Sequence, residues 1–307
     1  MPLVWGGAVS HSPVLYRPRD RWSIVSRFLT GSVPQPAAAG DETPERLAAA
    51  SLRIDAAFHA LRESILRAKL DSLVVLVADR ARTFDDANTP QIHVHAGDSI
   101  WGETALTQAG EPSAIRHLPC DSAGADLAIE ELFDAGFDVA ESHGDFRPRG
   151  DAERGAVPAL VELMHGLDAG LPVVPLHLNC HVAPALRGWR AHEFGGALGQ
   201  ALAHSGRRFG VLASGGMSGD PHGYMAGWTD PELDRWVLRR LETGRSAKVA
   251  SMFDVQSNAL RGNSAELRLW LAAAAAMEQA GGAGRTIDYF PLHAAATGVG
   301  FFTWETR

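Results

Sequence analysis

Two side chains that could hold a cation lie far apart in the sequence. His11 is in the turn Ser10-His11-Ser12-Pro13, directly after the apolar run Leu3 to Val9, which is typical of a buried strand. Glu266 is in an otherwise apolar helical stretch, where a carboxylate either faces solvent or points inward at a cation, because a buried unpaired charge is costly. The local sequence favours the solvated face for Glu266. For His11 it leaves a functional imidazole and a simple capped loop equally open.

Other histidines lie on or beside predicted strands. His93 and His95 point to the same side of one strand, a geometry that can bind metal; a polar strand face at a sheet edge or a subunit contact is the favoured interpretation. His177 and His181 straddle the end of another strand. They are candidates to line the same crevice, because side chains at strand ends project from rigid backbone.

Two loops have compositions that suit ligand binding. The segment Ser214–Asp220 does not match the G-x-S-x-G pattern of a hydrolase, but its glycines permit a tight turn with the backbone close to a ligand. His143 precedes a loop that contains Arg147, Arg149 and Arg154. That loop could hold an anionic substrate, although a solvated loop is favoured.

The composition narrows the class of protein. The chain has 307 residues, of which 46% are hydrophobic and 21% charged, and its net charge is −8. This charge argues against a nucleic-acid or anionic-membrane partner, and no apolar run approaches the roughly 18 residues of a membrane span. The absence of a signal-peptide pattern and the distant Cys120 and Cys180 predict a cytoplasmic protein.

Strands alternate with helices along most of the chain, which predicts an α/β domain with a mixed central sheet flanked by helices. No repeat or linker divides residues 1–307, so a single domain is expected. The predicted strands are Leu3 to Val9, Ser72 to Ala78, Gln91 to Ala96, 137–141, Pro172 to Asn179, Phe209 to Ala213, 287–292 and 298–304. The predicted helices are 44–69, 124–135, Val157 to His165, 190–204, 231–243 and 263–280.

Several motifs, taken in order, resemble the class III (type II) extradiol ring-cleavage dioxygenases of the protocatechuate 4,5-dioxygenase β-subunit type. The resemblance covers nearly the whole chain. The motifs are Ser10-His11-Ser12-Pro13, the strand followed by Asp79 and Phe84, Arg154-Gly155-Ala156-Val157-Pro158, Gly215-Gly216-Met217-Ser218, Pro231-Glu232-Leu233-Asp234, Ala265-Glu266-Leu267 and Tyr289-Phe290-Pro291-Leu292-His293.

In that family two histidines and a glutamate hold Fe(II), with open positions for a catechol-like substrate and O₂. The resemblance implies that His11 occupies the position of the first histidine ligand and Glu266 that of the glutamate ligand. Arg80 stands where the second ligand histidine is expected. Gly219 stands in place of the acid–base histidine, and Arg154 in place of a further site histidine.

These departures imply altered chemistry. A guanidinium offers no lone pair, so Arg80 cannot bind iron. We hypothesise that an Arg80–Glu266 pair replaces the metal; if it is buried, losing one partner would cost roughly 3–5 kcal/mol. His181 or His222 would substitute for the acid–base histidine. Arg80, Arg154 and His177 are the candidates for substrate binding.

The resemblance therefore implies a metal-free, non-catalytic partner subunit or a relative that binds a catechol- or aminophenol-like ligand. One alternative is an active Fe(II) dioxygenase with a rearranged ligand set that uses His11, Glu266 and a histidine at 177, 181 or 222. Another is a metal-free lyase or isomerase in the same pocket. Because members of this family commonly form dimers or heteromers, the resemblance implies a homo- or hetero-oligomer, with a catalytic homologue as a candidate partner.

Overall fold

The computed structural model describes residues 3–80, 83–84, 88–104, 106–144, 155–255 and 257–306. Within this range no helix is long and apolar enough to cross a membrane. The strands are β1 (Leu3–Val9), β2 (Ser72–Val77), β3 (Ile92–His95), β4 (Ser99–Glu103), β5 (Ile115–Pro119), β6 (Ala140–Ser142), β7 (Val173–Leu178), β8 (Phe209–Ser214), β9 (Ala283–Leu292) and β10 (Thr297–Glu305). The helices are α1 (Trp22–Thr30), α2 (Pro44–Ala68), α3 (Ser122–Asp134), α4 (Pro158–Leu167), α5 (Gly188–His204), α6 (Pro231–Glu242), α7 (Ser246–Ala250) and α8 (Leu267–Gln279).

Eight strands form one mixed sheet in the order β6-β3-β7-β2-β8-β1-β10-β9. Its four central strands, β7, β2, β8 and β1, run parallel. The pairs β3–β7, β1–β10 and β10–β9 are antiparallel. The predicted α/β fold with a mixed sheet is confirmed. Because β1 and β10 pair side by side, we infer a single domain over the described residues.

Helices cover both faces of the sheet and create two apolar cores. Residues such as Leu198 of α5 and Ala273 of α8 are fully buried against one face. Leu61 of α2 and Leu163 of α4 are fully buried against the other. The parallel strands therefore lie between helical layers, and their carboxyl ends meet at one edge, which is where open α/β sheets place their ligand sites.

Parts of the fold were not predicted from the sequence. Helices α1 and α7 were missed, as was the separate two-stranded sheet of β4 and β5; β5 has mostly exposed side chains and shows no clear alternation of apolar and polar residues. The placement of His93 and His95 at a sheet edge was wrong. Strand β3 lies between β6 and β7, and both histidines are buried.

The close contact of α5 with α8 sets the position of the helix that follows Glu266. A Cβ added at Gly195 would lie 2.1 Å from the carbonyl oxygen of Ala272, whereas one added at the neighbouring Gly196 would meet nothing within 4 Å.

We expect Gly195→Ala to lower the free energy of unfolding by about 1–3 kcal/mol through overpacking. Gly196→Ala should leave it unchanged or raise it by up to about 1 kcal/mol, because alanine suits a helix better. Urea unfolding of both variants checks this, and equal stabilities would contradict the close packing.

Candidate functional site

A cavity of about 290 Å³ lies at the carboxyl edge of the parallel strands. Its polar wall contains His11, Arg80, His222, Asn263 and Glu266. The rest of the wall is largely apolar, with contributions from Phe28, Leu29, Leu106 and Val157. We call this cavity the central pocket. It brings together four of the residues that the sequence singled out, namely His11, Arg80, His222 and Glu266.

Glu266 is buried, so the solvated face that its local sequence favoured is wrong. It ends a short 3₁₀ segment, Gly262–Glu266, directly before α8, and only 7% of its surface is exposed. Both carboxylate oxygens accept hydrogen bonds: Oε1 from Arg80 Nε at 3.1 Å and His181 Nε2 at 2.8 Å, and Oε2 from the Gly216 N–H at 2.9 Å. Burial raises the pKa of Glu266, but the Arg80 charge and these hydrogen bonds outweigh it and hold the pKa at about 2.

The glycine turn after β8 lets Glu266 approach the backbone. Gly215 has a φ of +143°, and an added Cβ would lie 2.5 Å from Glu266 Oε2. The close backbone approach expected of these glycines is thus made to a carboxylate. At Gly219, where the family resemblance implies a histidine, a Cβ would lie 2.4 Å from the Ala296 carbonyl oxygen. In this structure that position has no room for a side chain.

Arg80 is held by more than one acceptor. Besides its bond to Glu266, its Nη2 donates to Oδ1 of Asn263, whose own side-chain amide donates to the His11 carbonyl oxygen at 3.3 Å. The Arg80 side chain is 35% exposed and that of Glu266 10%. The pair is therefore partly buried, with its open side toward the central pocket.

His181 is tied to the same carboxylate. Because Glu266 Oε1 accepts at 2.8 Å, Nε2 of His181 carries the proton, and its 3.2 Å approach to Arg80 Nε is a close contact of two donors. Its backbone N–H is turned toward Asn179 Oδ1. An imidazole fixed in this way orients Glu266, and Nε2 is not available as a base.

His11 points to a second buried carboxylate that the sequence did not single out. Its Nε2 lies 3.0 Å from Oε2 of Glu162, which is 2% exposed, and Arg17 binds the other oxygen of that carboxylate. Arg17 also pairs with Glu111 at 2.9 Å. Glu162 lies within the apolar helix α4. An acidic residue alone among apolar residues of a helix is the sequence feature that could have identified it.

His222 lines the central pocket with its ring against Phe28, at a centroid distance of 4.9 Å. Its backbone is left-handed, with φ of 65°, and is held by a hydrogen bond from its N–H to the Leu29 carbonyl oxygen at 2.8 Å. Burial, reinforced by the charge of Arg80, lowers the pKa of His222. The imidazole is therefore neutral at pH 7 and can accept a proton.

The remaining candidates lie elsewhere. His177 does not line the central pocket, because its buried side chain faces His93 (Nδ1 to Nδ1, 3.2 Å) and Phe84; burial lowers its pKa to about 3. His143 is exposed and pairs with Glu141. Arg154 lies outside the described residues, so its predicted role in substrate binding stays a prediction.

The donors at this site do not fit a two-histidine, one-carboxylate iron centre. The position of the expected second histidine holds a guanidinium, which has no lone pair, and that guanidinium is paired with Glu266 at 3.1 Å. In the parts of the chain that are described, no group of three His, Cys, Asp or Glu side chains is placed to hold a metal ion.

The Glu266 interaction gives a pH-dependent stability. The pKa of Glu266 falls from 4.5 to about 2 in the folded protein, so its contribution is complete above pH 4.5 and is lost as the pH falls toward 2. We expect Glu266→Gln to lower the free energy of unfolding by about 1–3 kcal/mol at pH 7. This range allows for solvent screening of the partly exposed Arg80. The difference from wild type should shrink below pH 4.5 in urea unfolding. The exposed control Glu232→Gln should change stability by less than about 0.5 kcal/mol; a pH-independent difference for Glu266→Gln would contradict the assignment.

Comparison with known proteins supports the family resemblance. A model of the family described as the catalytic LigB subunit of aromatic ring-opening dioxygenase matches residues 57–300. A 2,3-dihydroxyphenylpropionate/2,3-dihydroxicinnamic acid 1,2-dioxygenase of Paraburkholderia xenovorans (strain LB400) is 30% identical over 262 residues, covering 71% of this chain and 79% of that protein. A protein of the same name from Mycolicibacterium smegmatis is 27% identical over 204 residues, covering 52% of this chain and 63% of that protein.

A solved structure of an uncharacterized protein, JW3007 from Escherichia coli K12, aligns with a TM-score of 0.49 and 14% identity, covering 98% of this chain and 99% of that one. The family model spans most of the chain, and the motif around Glu266 lies within the matched residues. The chain belongs to the LigB family of aromatic ring-opening, class III extradiol dioxygenases.

Proposed function

We propose that this chain binds an aromatic ligand in the central pocket without the iron of its family, and that Arg80 takes the place of the metal as the cation beside Glu266. The observation that carries this proposal is that Arg80 and His181 both donate to Oε1 of Glu266 while the Gly216 N–H donates to Oε2, so three of about four acceptor sites of the carboxylate are occupied. A metal ligand must offer an oxygen lone pair toward an open position, and both such directions of Oε1, the oxygen beside Arg80, are taken.

Charge supports the same conclusion. A divalent cation bound to Glu266 would lie next to the permanent positive charge of Arg80, whose Nη2 is 3.1 Å from Oε1. Two cations at such a distance repel strongly in a partly buried site. Guanidinium remains protonated at any ordinary pH, so the repulsion cannot be relieved by losing a proton.

The shape and lining of the central pocket suit a small aromatic molecule. Its volume of about 290 Å³ is near the lower end of ligand pockets, which are mostly apolar with a few placed polar groups. Phe28 and Leu29 can contact a ring, while His222 and Arg80 can contact its hydroxyl or amino substituents. The relatives are named for dihydroxyphenyl substrates, and a catechol- or aminophenol-like ligand is our proposal for this chain.

The proposed role is that of a non-catalytic member that works beside a catalytic homologue or binds the aromatic compound alone. Partner identity and oligomeric state are part of this proposal. The rearranged iron site is less well supported, because His177 lies outside the central pocket, His181 already bonds to Glu266, and iron held by His11, His222 and Glu266 would lie beside the Arg80 charge.

A metal-free lyase or isomerase is the second candidate, and His222 favours it. Its ring nitrogens form no hydrogen bond within the described residues, it lines the central pocket, and its lowered pKa keeps it neutral at pH 7. A neutral imidazole beside a bound hydroxyl is the usual arrangement for a general base. Turnover of an aromatic ligand that survives chelation and anaerobiosis would support this candidate.

Iron content tests the main proposal. After anaerobic purification and incubation with Fe(II), we expect far less than about one iron per chain, because Arg80 provides no ligand and repels the cation. Elemental analysis against protein concentration measures this. As a control, Arg239→Gln removes an exposed arginine and should not change the iron content. A stoichiometry near about one in the wild type would contradict the proposal.

Ligand binding tests the pocket assignment independently. Calorimetric titration with catechol or 2-aminophenol should show binding to the wild type that does not require added iron. His222→Gln should weaken it roughly tenfold, the effect of losing about one hydrogen bond. His204→Gln, at an exposed position on α5, should leave the Kd unchanged. Equal Kd values for all three proteins would remove His222 from the ligand site.

A further inference from the structure

A second, larger cavity lies next to the central pocket, with His181 in its wall. Its volume is about 1000 Å³. We call it the arginine cleft, and its defining residues are Cys180, Arg187, Phe253, Leu260, Arg261 and Arg268. No aspartate or glutamate is among its lining residues in the described part of the chain. Three guanidinium groups thus share one cavity without an acidic side chain.

These three arginines form no ion pair with any described residue. Arg17, Arg80 and Arg207 each contact a carboxylate at about 3 Å or less. In contrast, no carboxylate of the described residues lies within ion-pair distance of Arg187, Arg261 or Arg268. The chain has 36 acidic residues against 28 lysines and arginines. A cleft with three guanidinium groups and no acidic partner among the described residues is therefore unexpected in a protein whose net charge is −8.

Arg268 is fixed in place at the wall of this cleft. It is only 9% exposed. Its Nε donates to the Leu186 carbonyl oxygen at 2.6 Å and its Nη1 to that of Ala265 at 2.9 Å, and its guanidinium lies 3.9 Å from the centre of the Phe253 ring. Burying a cation without a counter-ion is costly. A rigid, buried guanidinium beside a cavity is well prepared to bind an anion.

The positive charge near Arg268 strengthens the attraction of the arginine cleft for an anion. Burial lowers the pKa of Arg268, and the positive charge of Arg187 adds to the effect, as expected for two cations that face the same space. An oxyanion placed between them would relieve the repulsion and form charge-assisted, bidentate hydrogen bonds.

The rest of the cleft indicates binding and no covalent chemistry. Burial raises the pKa of the Cys180 thiol to about 12, so the thiolate nucleophile is absent at neutral pH. Phe253, Val255 and Leu260 provide apolar surface beside the guanidinium groups. The ligand that matches such a lining has an oxyanion at one end and an apolar body at the other.

We propose that the arginine cleft is a binding site for a small organic oxyanion, a carboxylate or a phosphate carried on an apolar body. The site is separate from the central pocket and does not depend on the function proposed for it. His181 lines the arginine cleft and bonds to Glu266, which lines the central pocket, so the two cavities are neighbours.

The test is calorimetric titration of the full chain with 3-phenylpropionate, phenyl phosphate and the neutral 3-phenyl-1-propanol. At least one of the two anions should bind, and whichever has the lower Kd identifies the oxyanion that the cleft prefers. The alcohol should bind at least about tenfold more weakly. The anion's Kd should rise with added NaCl, because salt screens the arginine charges.

Variants locate the site. The double variant Arg187→Gln/Arg261→Gln changes two exposed side chains and should weaken anion binding at least about tenfold. The control Arg239→Gln/Arg245→Gln removes the same net charge from exposed positions outside the cleft and should leave the Kd unchanged. His222→Gln should also leave it unchanged, since His222 faces the central pocket.

Three results would overturn the proposal. The first is no binding of either anion, and the second is equal binding of the neutral alcohol. The third is anion binding that survives in Arg187→Gln/Arg261→Gln but is lost in His222→Gln, which would place the anion in the central pocket. Only this third result would link the anion to the function proposed for that pocket, so failure of the two proposals can be told apart.

Discussion

A carboxylate buried at the ends of parallel strands must be given positive charge, and this requirement organises the site. Glu266 lies at the start of α8, beneath the turn after β8, and burial alone would favour its protonated form. Arg80, His181 and the Gly216 N–H together keep it ionised. In related proteins of the family a metal ion is expected to supply this charge; here the chain supplies it from its own side chains.

The central pocket lies between two such arrangements. On one side Arg80 neutralises Glu266, and on the other Arg17 and His11 contact Glu162. In each arrangement a buried carboxylate already has hydrogen-bond donors from the protein in the absence of a ligand. The surface left for a ligand is therefore mainly apolar, and it includes His222, whose ring nitrogens form no hydrogen bond with the described residues. The arginine cleft differs, because its cations have no acidic partner in the part of the chain that the structure describes.

Much of this fold could be predicted from local sequence. Short apolar runs closed by polar turns located β1, β2, β7 and β8, and the spacing of apolar residues located α2. Because the carboxyl ends of parallel strands meet at one edge, the strand ends also indicated where His11 and Arg80 would lie. The family motifs added the pairing of Arg80 with Glu266, which the local sequence alone did not suggest.

What could not be predicted depends on contacts between distant segments. Glu266 was expected to face solvent because its neighbours gave no sign of Arg80, which lies 186 positions away. Glu162 was missed because its partner His11 is 151 positions distant. His93 and His95 were placed at an edge because the short strand β6, which pairs beside them, has too weak a pattern to fix its neighbours.

The pairing of Arg80 with Glu266 has a consequence for any variant with a histidine at position 80. Such a variant would keep His181 and the Gly216 N–H beside Glu266 but would lose the permanent cation. Its fold would therefore be less stable until a cation bound at the site. Under the proposed function, the stability of this chain does not depend on a metal ion, whereas the stability of that variant would.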